Sequence, residues 1–201
     1  MKNPYNHTIK AFCELYHMIC AIAITILIRT FLPQFPIENM MLTIQNLANG
    51  IVIVFLVVRF FHGNSVLIKK CHLDREPLSV RCMYTDLTLM LFQGILLIVI
   101  ALIDIGTVYF VIVILIFTDA LWMGFISTTE EYRCTGTRPY TISWLISNLF
   151  TACLMLILMV TMHQDDNIVL NILNMVIVFI NTIVNFYMNH KFMEHKIDTG
   201  G

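Results

Sequence analysis

The sequence predicts an all-α polytopic membrane protein with six transmembrane helices, both termini cytoplasmic, assembled as a homo-oligomer. Three observations carry this. Of 201 residues, 58% are hydrophobic and only 12% charged, about half the charge of an ordinary soluble domain. The mean hydropathy is +0.80, so there are too few polar side chains to cover a water-facing surface. Finally, six stretches approach the roughly 20 apolar residues that a helix needs to cross a bilayer.

In order, the spans run approximately over 12–32, 39–61, 84–103, 107–126, 141–162 and 167–188, and together form one transmembrane domain over 1–201. The first has the shortest uninterrupted apolar core, Met18 to Ile28. A cleaved signal peptide is its competing reading, but Thr30-Phe31-Leu32-Pro33 offers no small-residue cleavage site. The third and fourth spans are separated by Asp104-Ile105-Gly106, which reads as a tight turn. Loops over 62–83 and 127–140 complete the layout. In the second, Ser127-Thr128-Thr129-Glu130 has the spacing of a capping box, so a short helix carrying Arg133 is expected.

Orientation follows from the distribution of charge. Eleven of the twelve Lys and Arg fall on one side of this layout, Arg29 being the exception, whereas Glu38, Asp104, Asp165 and Asp166 occupy the opposite turns. Positive loops face the cytoplasm, which places the chain in an inner membrane with both termini inside. The sequon Asn6-His7-Thr8 then lies on the side where glycosylation does not occur.

The chemistry-bearing residues are few. Cys71, Cys82 and Cys134 lie in cytoplasmic loops and Cys13, Cys20 and Cys153 in or beside helices, without a C-x-x-C pair, so neither a disulfide framework nor a zinc site is expected. Glu14 and His17 match half of a helical di-iron motif whose second copy is missing. No G-x-S-x-G, H-E-x-x-H or phosphate loop occurs. The expectation is no enzyme, no metal and no cofactor. A net charge of −1 gives no reason to expect DNA as a partner.

The last span is the most informative. Asn167, Asn171, Asn174, Asn181, Asn185 and Asn189 fall within an arc of about 80° at 100° per residue, and with Val178 the first five make a heptad seam. Interhelical glue within one bundle is one reading of such a stripe. Six amides across the whole membrane exceed what a dry contact needs, so Asn167, Asn171, Asn174, Val178, Asn181 and Asn185 are expected to line a wetted pore on an oligomer axis, with Val178 as its constriction.

Polarity is also concentrated in the inner half, in Arg59, His62, Asn64, Asp86, Gln93, Asp119, Asn148 and Asn185. Asp119 is a buried charge that must find a partner, face water or protonate; Arg59 is the expected partner, with a vestibule or proton-relay role as the alternative. Arg59, His62, Lys69, Lys70, Arg75, Arg81, Arg133 and Arg138 form a candidate contact for a nucleotide or other phosphorylated ligand, against the plain reading that they set topology and meet lipid headgroups.

The hexapeptide Arg59-Phe60-Phe61-His62-Gly63-Asn64 resembles small bacterial membrane effectors of nucleotide-signalled anti-phage systems, the Hailong-type channel subunit in particular. The resemblance implies an oligomeric channel opened by a nucleotide messenger, depolarising the infected cell, with the hexapeptide on the ligand side. The expected function is therefore an ion channel gated from the cytoplasm. A small secondary transporter, a membrane enzyme and a non-conducting assembly subunit are its rivals.

Overall fold

A computed structural model describes residues 5–31, 40–73, 79–103, 105–133, 138–161 and 167–194. The described chain is all helical: α1 (Asn6–Phe31), α2 (Met40–Ile68), a π-helical turn (Lys69–Leu73), α3 (Val80–Leu102), α4 (Ile105–Thr128), the single turn α5 (Glu130–Arg133), α6 (Arg138–Thr161) and α7 (Asn167–Glu194). Six of these are long and apolar enough to span a membrane.

The largest departure from the expected layout is at 62–83. Instead of a loop, α2 continues to Ile68, the π turn to Leu73, and α3 begins at Val80. Polar residues interrupt the apolar run there, yet Val66, Leu67, Ile68 and Cys71 are buried, and that burial is enough to extend the helix past the membrane-length segment. Ser79 starts α3 by accepting from the Cys82 amide at 3.3 Å. The expected capping box does not form. α4 runs through Thr128, and the Ser127 hydroxyl donates back to the Gly124 carbonyl at 2.9 Å. Likewise Gly106 lies inside the first turn of α4 rather than in the α3–α4 turn.

Packing is inside-out relative to a soluble protein. Phe150, Val160 and Leu121 are among many large apolar side chains on the outside, whereas Arg59, Asp86, Gln93, Asp119 and Asn148 are buried. Hydroxyls on the helices fold back on the preceding turn, as in Thr118 to Ile114 and Thr161 to Ile157, so few donors are left facing outward. The main contacts run α1–α3–α4–α6–α7–α2 and back to α1, closing a six-membered ring of helices.

Bonds between polar residues fix the relative direction of the helices. Tyr16 and Asn148 come from the N-terminal halves of α1 and α6 and meet residues in the C-terminal halves of α2, α4 and α7. Asp86, in the first third of α3, meets Trp122 in the C-terminal half of α4, so the long helices alternate in direction along the sequence. The start of α1, the π turn, α5 and the end of α7 share one end, here called the basic end.

Candidate functional site

Inside the ring, all six long helices contribute to one polar layer. From α2, Asn64 Nδ2 donates to Tyr16 Oη of α1 at 2.9 Å and to Gln93 Oε1 of α3 at 2.8 Å. Gln93 Nε2 then donates to Asp119 Oδ1 of α4 at 3.1 Å. Arg59 Nη2 reaches Asp119 Oδ2 at 2.9 Å and Asn148 Oδ1 of α6 at 3.0 Å. Asn148 Nδ2 donates to Asp119 Oδ2 at 2.7 Å. From α7, Asn181 and Asn185 both donate to Asn148 Oδ1 at 3.3 Å, and Asn181 also to Thr151 Oγ1 at 2.9 Å.

Desolvating an ion pair costs several kcal/mol per ion unless further hydrogen bonds satisfy it. Here Asp119 takes donors from three helices, and the Arg59 guanidinium also lies over the Phe60 ring at 4.4 Å. The guanidinium is nevertheless incompletely served. Arg59 Nη1 is buried without a partner among the described residues, as is Asn189 Oδ1. Both residues line a cavity of about 20 Å³, together with Gly63, Asn64, Asp119 and Trp144. A single water needs about 10–15 Å³. Gly63 packs closely on Asn189 here: a Cβ at Gly63 would stand 3.2 Å from Asn189 Nδ2.

Toward the basic end lies a second cluster. Asp86 of α3 is fully buried and accepts from Trp122 Nε1 of α4 at 2.7 Å and from the Tyr132 hydroxyl of α5. It also lies 2.7 Å from His72 Nε2 of the π turn. Burial, with Asp86 beside it, pushes the Tyr132 hydroxyl well up. Nearby, Glu131 Oε2 accepts from the Ser79 amide at 2.9 Å, and the Ser79 contacts hold its carboxyl below the ordinary range. Both connections at this end are thus tied into the ring. Asp86→Ala should orphan two or three buried donors and lower unfolding free energy by roughly 3 kcal/mol or more; Asp86→Asn should cost less. Denaturant titration of the detergent-purified variants checks this.

The residues singled out in the sequence separate into groups. Arg59 and Asp119 meet in the layer just described. Of the asparagine stripe, Asn174, Val178, Asn181 and Asn185 are buried within this chain, against α2 and α6, and Asn171 is half-buried; nothing is described of the Asn167 side chain. Among the described residues, the basic set is not gathered at one point. Arg59 is in the core rather than at the basic surface, His62 is exposed beside Phe186, Lys69 and Arg81 are exposed, and Lys70 lies over the Phe192 ring. Arg75 and Cys134 lie outside the described residues, as do the side chains of Arg133 and Arg138. His17 pairs with Ser65 Oγ at 3.1 Å and stacks near Phe61, and does not meet a second acidic motif.

The Asp86 cluster and the role of Tyr16 went unforeseen. His72 and Asp86 carry no common spacing; the π turn brings His72 back to Asp86 of α3, and α5 adds Tyr132. No protein-family model matches this chain, and neither a curated protein nor a solved structure gives a match.

Proposed function

We propose that this protein moves ions across a membrane through the polar centre of its own helix ring. The observation that carries this is the layer to which every long helix sends a polar side chain around Arg59 and Asp119. Stability alone gives little reason for it, because each interhelical bond contributes only about 0.6 kcal/mol in a bilayer, whereas burying an ion pair costs several kcal/mol per ion. Intramembrane ion pairs facing a bundle interior are the usual mark of an ion or proton pathway. A pore on an oligomer axis lined by α7 is less well supported, since the stripe is occupied within one chain.

One or two turns further from the basic end, each long helix has a buried apolar residue, Ala23, Val52, Leu97, Ile112, Met155 and Val178, and we read these as closing the layer. That arrangement fits a shut state. Control by a phosphorylated cytoplasmic ligand is kept as part of the proposal, with exposed Lys69 and Arg81 at the end where it would bind. The defence role implied by the hexapeptide resemblance rests on that ligand.

Purified protein in liposomes should pass ions slowly, in brief openings of the shut state, yet above the empty-vesicle rate. A folded, monodisperse preparation that passes none under any gradient would refute the reading. The orientation is a separate expectation from the charge bias: reporter fusions after Asp104 and Asp166 should be external, and those after Arg75, Arg133 and Lys196 cytoplasmic. An external report from the Lys196 fusion would overturn it.

A further inference from the structure

We propose that the cavity beside Arg59 binds one small inorganic monoanion of halide size, which enters together with a proton taken up by Asp119. This rests on the transport reading above and names its substrate class. Three features of the cavity lead to it. At about 20 Å³ it has room for about one small species. Its one cationic group, Arg59, has a buried N–H nitrogen, Nη1, with no partner among the described residues. The amide of Asn189, a second lining group, has an unpartnered Oδ1, so a half-turn about its last torsion loses no bond at that oxygen and brings Nδ2 to the same place.

The sign follows from which charge is incompletely served. Asp119 already accepts from Arg59, Gln93 and Asn148, leaving little for a cation, while the guanidinium has donor capacity to spare. An anion added to the intact pair would leave a net charge in the low-dielectric interior. Protonation of Asp119 removes that charge: the carboxylate gains one O–H bond, the anion takes the counter-charge of Arg59, and the net charge of the centre is unchanged. The titratable groups facing Asp119 from its neighbours are Arg59 of α2 and Tyr16 of α1. Gln93 and Asn148 are neutral, and Asp86 of α3 is committed to His72, Trp122 and Tyr132.

Trp144 lines the cavity and is one of only two tryptophans, so bromide quenching of its emission reports occupancy in detergent-purified protein. Saturable quenching is expected, tighter at pH 5 than at pH 7 by up to about tenfold per pH unit because binding takes up one proton, with gluconate at equal ionic strength giving none. Asp119→Asn, which stands in for the protonated carboxyl and leaves the charge of Arg59 for the anion to balance, should retain saturable quenching and lose the pH dependence. The charge-neutral pair Arg59→Gln with Asp119→Asn should abolish it. In liposomes, an inward chloride gradient should acidify the lumen. Absence of saturable quenching at both pH values would mean that a water alone fills the cavity and would overturn the anion site, whatever flux is seen. Saturable quenching without any flux would leave the site and remove the transport reading. Chloride flux that moves no protons would overturn the coupling.

Discussion

Arg59→Leu should destabilise this protein by roughly 3–5 kcal/mol, the cost of leaving a buried carboxylate without its counter-ion. Asp119 would keep only the neutral donors of Gln93 and Asn148, and Asn148 Oδ1 would keep only the two asparagine donors of α7. The double change, Arg59→Gln with Asp119→Asn, should recover most of that loss, because neutral partners of this kind can still exchange hydrogen bonds and buried pairs are often replaceable without net cost. Denaturant unfolding in detergent reads the comparison. The double variant also separates structure from function: it should fold close to the parent yet lose ion movement. A double variant as unstable as Arg59→Leu would show that the loss does not come from the unpaired charge, and one that folds and still conducts would make the pair a plain structural lock.

Much of this arrangement is legible in the sequence because bilayer physics is severe. The six spans follow from apolar length alone, and the Asp119–Arg59 contact follows from the rule that a charge at that depth needs a partner. The asparagine stripe was readable as a face of α7 but not as to what it faces. Helical periodicity gives an angle about one axis and says nothing of which neighbour lies there, and it is α2 and α6 of the same chain that occupy the space. Boundaries at the basic end differ from the sequence expectation for a different reason. Residues 62–73 are interrupted by His62, Asn64, Lys69 and Lys70, and only packing of Val66, Leu67, Ile68 and Cys71 against the ring makes that stretch helical. The hexapeptide from Arg59 to Asn64 was placed on the ligand side, whereas Arg59 and Asn64 are buried in the polar layer and Gly63 lies against Asn189. The Asp86 cluster joins four separate elements and has no local signature at all.

Val178→Asn should turn a closed protein into a leaky one. Val178 is fully buried and sits between Asn174 and Asn181 on the inward stripe of α7, so it belongs to the apolar layer that separates the polar centre from the far end of the ring. A layer of this kind excludes ions because water does not stay in it. Replacing valine by asparagine removes an apolar contribution of about 1.5 kcal/mol and joins the amides on either side into a continuous polar track. A shift of that size corresponds to roughly tenfold more time in the hydrated state, to be read as resting conductance in planar bilayers or as slowed growth on expression. Val178→Phe should act oppositely on conduction while overpacking the interior, at a cost of about 1–3 kcal/mol in stability. The two substitutions also test where the path runs. If Val178 lined an oligomer axis instead, the leak of Val178→Asn would depend on subunit assembly and would vanish in monodisperse single chains, whereas a path through one ring persists in them. A folded Val178→Asn variant with unchanged conductance in both states would refute the apolar layer as the barrier.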